Sequence, residues 1–182
     1  MKLGFDISET TVRNILERAN FNPWNRRPKL TWWQFIRRHQ TVWGIDFFQV
    51  HTAFMQRLYV FVILNIQTRE LICARVTSTP GTEWVCRVLK GELGFNDAPD
   101  LLIRDRDPAF SAEAFKDLLE TSGVRCAVTP RRAPKANAFV ERFNGTIQRE
   151  CTDEFLFFNE NQVQRALNEF KEYYNNKMSS GY

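Results

Sequence analysis

Three acidic side chains, Asp46, Asp105 and Glu141, stand where an uncompensated carboxylate is costly. Asp46 is the one charge in the run Thr41-Val42-Trp43-Gly44-Ile45-Asp46-Phe47-Phe48-Gln49-Val50, whose β-branched and aromatic residues favour a strand. Asp105 closes the apolar stretch Leu101-Leu102-Ile103-Arg104. Glu141 lies in Ala136-Asn137-Ala138-Phe139-Val140-Glu141-Arg142-Phe143-Asn144-Gly145, which reads as a helix. A carboxylate inside a buried strand needs a compensating group, and a bound cation is an effective one. Three carboxylates converging from two strand ends and a helix suit hard, oxygen-seeking cations such as Mg²⁺.

The elements that carry these residues follow from hydrophobic periodicity. Strands are expected at 41–50, 58–66, 71–77, 101–105 and 125–129. The second is apolar at nearly every position, as in a strand covered on both faces. Short connections, such as the polar turn Gln67-Thr68-Arg69-Glu70, make the first three an antiparallel meander. Helices are expected at 83–93 (Val85, Val88, Leu89 and Glu92 on one side), at 112–121 with Ser111 as its cap, and around Glu141. In the Glu141 helix, Asn137 is the expected cap and Phe139, Phe143 and Ile147 the buried stripe. A last helix is capped by Asn159 and packs through Val163, Ala166, Leu167, Phe170 and Tyr174. The order predicts a mixed sheet flanked by helices, with Asp46 and Asp105 adjacent if their strands pair.

Near the start, Ser8 can cap a helix at 7–19 with Val12, Ile15, Leu16 and Ala19 at helical spacing and an Ile7–Val12 staple. It fits either a recognition helix of a helix-turn-helix or an ordinary amphipathic helix. A basic, proline-bounded linker follows at 21–29, then a short helix in which Trp32, Trp33, Phe35 and Ile36 read as core.

The chain has 182 residues, 43% of them hydrophobic, with 16 Phe and 5 Trp, which supports one well-buried domain plus a short appendage. No apolar run reaches membrane-spanning length, and the opening Met1-Lys2-Leu3-Gly4-Phe5-Asp6 lacks the apolar core of a signal peptide. Cys73, Cys86, Cys126 and Cys151 are scattered and read as reduced, buried, small apolar residues. With only His39 and His51, of which His51 reads as a surface residue, no His/Cys zinc module is expected. The net charge of +4 is uneven: residues 1–40 carry eight basic and three acidic groups, and residues 125–150 six basic and two acidic. Basic zones, one of them around Glu141, suit a polyanion approaching an acidic site.

With these motifs in place, the chain resembles the catalytic core of DDE insertion-sequence transposases and retroviral integrases, a ribonuclease H-like fold. Trp43-Gly44-Ile45-Asp46-Phe47-Phe48 is similar to the segment around the family's first acid, and Ile103-Arg104-Asp105-Arg106-Asp107-Pro108-Ala109-Phe110 to that around the second. Thr129-Pro130, Ala133-Pro134-Lys135-Ala136-Asn137-Ala138 and Glu141-Arg142-Phe143 resemble the third, and Tyr173-Tyr174-Asn175 the last helix. The gap of 35 residues between Asp105 and Glu141 is the family's. The resemblance covers residues 30–176 and implies an α/β fold, a mixed five-stranded sheet of three antiparallel strands followed by two parallel ones. Residues 1–29 are then expected to be a truncated helix-turn-helix remnant and linker, and 177–182 a short tail in which the family's usual Arg and His are missing.

The resemblance implies a metal-dependent polynucleotidyl transferase that cleaves DNA ends and transfers strands. Two Mg²⁺ ions, or Mn²⁺ as substitute, are expected: Asp46 bridging both, Asp105 on one and Glu141 on the other. Asp107 competes with Asp105 for the second position, but its place before Pro108 reads as a turn. Arg131, Arg132, Lys135, Arg142 and Arg149 are the expected phosphate contacts. Arg104 and Arg106 either touch phosphate or balance local charge. Expected partners are DNA, as element ends and target, and at least one further copy of the chain, with no membrane; the expected location is the cytoplasm, on the bacterial nucleoid. The other readings are a non-catalytic DNA-binding remnant and a ribonuclease H-like nuclease of another kind.

Overall fold

In a computed structural model the described residues are 8–18, 34, 36–129 and 138–179. They fall into two units, residues 1–35 and 36–182. In the first, helix α1 (Glu9–Arg18) starts at Ser8, whose Oγ accepts from the Thr11 N–H at 3.2 Å, as a capping residue does. Ile15, one of the apolar residues at helical spacing, is 56% exposed. The expected Ile7–Val12 staple and the 21–29 linker lie outside the described residues. So do Trp32, Trp33 and Phe35 of the aromatic segment, while Ile36 is described and buried.

The second unit is built on five strands: β1 (Val42–His51), β2 (Arg57–Asn65), β3 (Leu71–Thr77), β4 (Leu101–Arg104) and β5 (Arg125–Val128). Their order in the sheet is β3-β2-β1-β4-β5. β1–β2 and β2–β3 are antiparallel, and β1–β4 and β4–β5 are parallel. This is the expected mixed sheet. Helices α2 (Thr82–Phe95) and α3 (Glu113–Thr121), with a 3₁₀ turn at Pro108–Phe110, make the parallel crossovers. Helix α4 (Ala138–Ile147) runs into a π-helical turn (Gln148–Thr152), and α5 (Glu160–Ser179) follows.

Alternation along the central strands gives two cores. Trp43, Ile45, Phe61 and Ile63 face α2, α3 and the 3₁₀ turn, where Phe47 stacks on Phe110 with ring centres 5.3 Å apart. Phe48, Val50, Val60 and Val62 face α4 and α5, meeting Val140, Phe143, Leu167 and Phe170. β3 is an edge strand, and α5 satisfies it with side chains. Gln164 bonds both the Val76 N–H and the Ala74 carbonyl, and Asn175 does the same for Leu71, at 3.0–3.1 Å. A covered edge is closed to further strand pairing.

Several local expectations need correction. Ser111 does not cap α3; the chain enters through a 3₁₀ turn capped by Asp107, and the Ser111 hydroxyl is turned back onto the Asp107 carbonyl at 3.1 Å. On α4 the buried stripe is Val140, Phe143 and Ile147, while Phe139 is half-buried. Of the cysteines, Cys73 and Cys151 are buried, Cys86 is half-buried and Cys126 is exposed; all four are free thiols. His51 is the exposed last residue of β1, and Asn159 caps α5 by accepting from Gln162 N–H at 3.0 Å. Among the described residues no helix is long and apolar enough to cross a membrane.

Candidate active site

β1 and β4 bring the first two acids together through their register. The parallel ladder pairs Val42 with Leu101 and ends at Gly44 with Ile103. Asp46 and Asp105 each lie two residues further on, so the same register continued sets them opposite one another. Adjacent strands are about 4.8 Å apart, well inside the reach of charge–charge repulsion.

Helix α4 comes in over Gly44. That residue shares the Asp46 face of β1, and a methyl group placed on it would lie 2.4 Å from Val140 Cγ2. The absent side chain lets the helix rest on the strand. Docked this way, α4 presents Glu141, exposed in its first turn, and Asn144, buried one turn later. Asn144 donates from Nδ2 to Asp46 Oδ2 at 2.9 Å, and the Phe47 N–H donates to Asp46 Oδ1 at 2.9 Å. Both oxygens of the half-buried Asp46 are therefore oriented. Asn144 was not foreseen from the sequence. The signal was present: a polar residue three positions after Glu141, on the same helix face, between the apolar Phe143 and Ile147.

Burial is the largest influence on Asp46 and pushes its carboxyl up to about 7. The Phe47 N–H works against that rise, and the nearby charges of Asp105, Glu141 and Asp107 add to it. Asp105 and Glu141 are thus both within electrostatic reach of Asp46. Asp107 contributes charge but is used as a turn residue: its Oδ1 accepts from Ala109 N–H at 2.8 Å, and its own N–H donates to Asp105 Oδ1 at 2.9 Å. Arg104 is buried and lies 5.9 Å from the Phe115 ring centre. Its guanidinium donates to the Asp105 carbonyl at 3.0 Å and to Ser111 Oγ at 3.4 Å. It braces the turn that carries Asp105, whereas Arg106 is exposed.

The donor set is oxygen only, and Asp46 is held partly protonated near neutrality by burial and like charge. A hard dication relieves both, so the chemistry of the residues fits Mg²⁺ or Mn²⁺. Among the described residues no three such side chains already form a compact ligand shell. Completing one calls for side-chain rotation, for which the exposed Glu141 has the freedom.

Of the expected phosphate contacts, Arg142 and Arg149 are exposed on α4 and its π-helical continuation, with Arg149 bonded to Thr146 Oγ1 at 3.5 Å. Arg131, Arg132 and Lys135, and the expected cap Asn137, lie outside the described residues.

Two models of the integrase core domain match the chain, one over residues 37–134 and the other over 122–178. The chain belongs to the integrase core domain family. Among relatives, an uncharacterized 39.2 kDa protein of insertion element IS476 from Xanthomonas euvesicatoria is 26% identical over 133 residues, 73% of this chain and 38% of that protein. The putative transposase InsK of insertion sequence IS150 from Escherichia coli is 24% identical over 128 residues, 69% of this chain and 45% of that one. The chain spans 38–58% of the length of the curated relatives it matches. Among solved structures, the HTLV-2 integrase catalytic core domain in complex with magnesium superposes with a TM-score of 0.52 at 14% identity, covering 69% of this chain and 81% of that one. A simian T-cell lymphotropic virus intasome chain gives 0.59 at 16% identity, over 69% of this chain and 46% of that one. The fold is ribonuclease H-like, with the same mixed sheet and flanking helices as these integrase cores.

Proposed function

We propose that the core unit is a metal-dependent DNA-cleaving and strand-transferring enzyme of the transposase type, with Asp46, Asp105 and Glu141 as its catalytic carboxylates. What supports this reading is Asp46 itself, fixed by Asn144 and raised to about 7 by burial, with Asp105 and Glu141 both near enough to add to that rise. Asp46 would hold both ions, Asp105 one and Glu141 the other. Two bound dications supply charge neutralisation for the attacking and leaving oxygens of an in-line displacement.

The chain's own residues do the rest. Asn144 and the Phe47 N–H orient Asp46 so that its oxygens point out of the sheet toward α4. Arg104 holds the Asp105 turn. Arg142 and Arg149, together with Arg131, Arg132 and Lys135, would hold the DNA backbone without reading its sequence. In the reaction, water cleaves a phosphodiester at the element end and frees a 3′-hydroxyl. That hydroxyl then attacks a target phosphodiester and expels the 3′-oxygen of the target strand, with no covalent enzyme intermediate. Joining two ends calls for at least two copies of the chain, acting on the cytoplasmic nucleoid. Residues 1–29 would belong to a helix-turn-helix and the linker that follows it.

Nicking of supercoiled plasmid in Mg²⁺ or Mn²⁺ tests this. The parent chain should convert supercoiled to open-circular DNA, and Glu141→Gln should not, while binding DNA equally well. Equal nicking by Glu141→Gln would remove Glu141 from the site. Retained DNA binding with no nicking by the parent would favour a binding remnant.

A further inference from the structure

Arg69 lies in the turn between β2 and β3, far in sequence from the acids. Its backbone is left-handed, with φ of 67°, a conformation that a non-glycine residue adopts only where the surrounding structure holds it. The turn enforces it. Asn65 Oδ1 accepts from the N–H groups of Gln67 and Thr68 at 3.0 and 3.2 Å, and the Arg69 N–H donates to the Asn65 carbonyl at 2.9 Å. Held this way, the guanidinium lies over the Phe139 ring, 4.0 Å from its centre. Phe139 is in the first turn of α4, two residues before Glu141. This contact accounts for Phe139 being only half-buried: its outer face is a platform for a cation.

The charge on Arg69 is poorly balanced. The side chain is half-buried, and among the described residues neither Arg69 nor Arg142 forms an ion pair. Burial lowers the Arg69 guanidinium's ordinary pKa, and the Arg142 charge lowers it further against an opposing effect of Tyr174. Half-buried charges are ordinarily paired, and two guanidiniums within electrostatic reach of each other, neither ion-paired among the described residues, make a seat for an anion. The seat also continues a stripe. Phe139, Arg142, Thr146 and Arg149 follow one another at helical spacing, so Arg69 on Phe139 adds a cation at the N-terminal end of the Arg142–Arg149 row.

We propose that Arg69 and Arg142 together seat a backbone phosphate of the DNA beside Glu141, making Arg69 a nucleic-acid contact contributed by the β2–β3 turn. The proposal rests on the reading of the core as a DNA-processing enzyme and adds to it a residue from outside the acidic motifs. Arg69 touches the polyanion and not the reacting atoms, so it is a positioning residue.

The test is fluorescence anisotropy of the whole chain with labelled duplex DNA from 50 to 200 mM salt, in EDTA. Arg69→Gly suits the left-handed backbone and removes the side chain, Arg69→Gln keeps most of the stem without charge, and Arg69→Lys keeps the charge. Each lost phosphate contact lowers the slope of log K against log salt by about 0.9, so the parent's advantage over Arg69→Gly should shrink about 3-fold across that range. The expected result is a reduced slope for the Gly and Gln variants, a parental slope for Arg69→Lys, and thermal melts that still show a folded core. A parental slope in folded Arg69→Gly or Arg69→Gln, with a reduced one in Arg142→Gln, would overturn the role of Arg69 and leave the DNA reading standing. A parent whose binding does not respond to salt would overturn both.

Discussion

Replacing Asp46 by Asn should stabilise the metal-free protein at high pH and much less at low pH. Burial and neighbouring carboxylates move the Asp46 carboxyl from 3.8 to about 7 in the folded chain. A group raised on folding contributes its stability in full below the unfolded value and loses it as pH rises through the folded one. The window is therefore pH 4 to 7, and above it the ionised carboxylate opposes folding. The shift corresponds to about 4 kcal/mol at full strength, and roughly half of that once solvent reaching the half-buried side chain is allowed for. Asn keeps one oxygen for the Phe47 N–H. Its new amide can face Asn144, whose Oδ1 is buried without a partner and becomes available when that side chain turns over. The assay is urea unfolding of parent and Asp46→Asn in EDTA at pH 4.5 and pH 8, taking the difference at each pH so that other titrations cancel. About 2 kcal/mol of gain is expected at pH 8, or about 4–8 °C in melting temperature, with about a quarter of that at pH 4.5. Adding Mg²⁺ at pH 8 should stabilise the parent and not the variant. An equal difference at both pH values would refute the claim that burial and like charge raise Asp46.

Gly44→Ala places a methyl group 2.4 Å from Val140 Cγ2 and should cost about 1–3 kcal/mol in urea unfolding; Val140→Ala in the same chain should recover part of it. Asn144→Ala removes a bond to a carboxylate oxygen, so plasmid nicking should fall by at least tenfold while circular dichroism stays parental, whereas unchanged nicking would show that Asp46 needs no such brace. Among the thiols, Cys73 and Cys151 are pushed up by burial to about 12 and about 11. A thiol reagent at pH 8 should therefore modify exposed Cys126 first and reach Cys73 and Cys151 only on unfolding.

The elements were legible because their patterns are local. β2 is apolar on both faces in the sequence and is sandwiched in the fold between the two cores. The caps Ser8 and Asn159 act on backbone N–H groups three residues away, so their chemistry is written in adjacent letters. The three acids stood out for a similar reason: charge inside or beside an apolar run is rare unless something balances it. Where local reading failed, a distant contact decided. Ser111 looks like a cap, but Arg104 and the Asp107 carbonyl claim its hydroxyl. Phe139 and Val140 are adjacent on one helix, and periodicity alone does not choose between them. Gly44, 96 positions away, takes Val140 into the core, and Arg69 takes the outer face of Phe139.

The chain's letters were thus enough to determine which segments become strands and helices, which three carboxylates stand beside apolar runs, and that a basic zone surrounds one of them. Tertiary structure alone decided that β1 and β4 run parallel in a register that sets Asp46 against Asp105, that Asn144 holds Asp46, and that Arg69 joins the basic face of α4. The division has one physical cause. Propensity, capping and burial patterns act over a few residues, whereas the charge on Asp46 and the partners of Asn144 and Arg69 depend on groups tens of residues away, which only chain packing brings within a few ångströms.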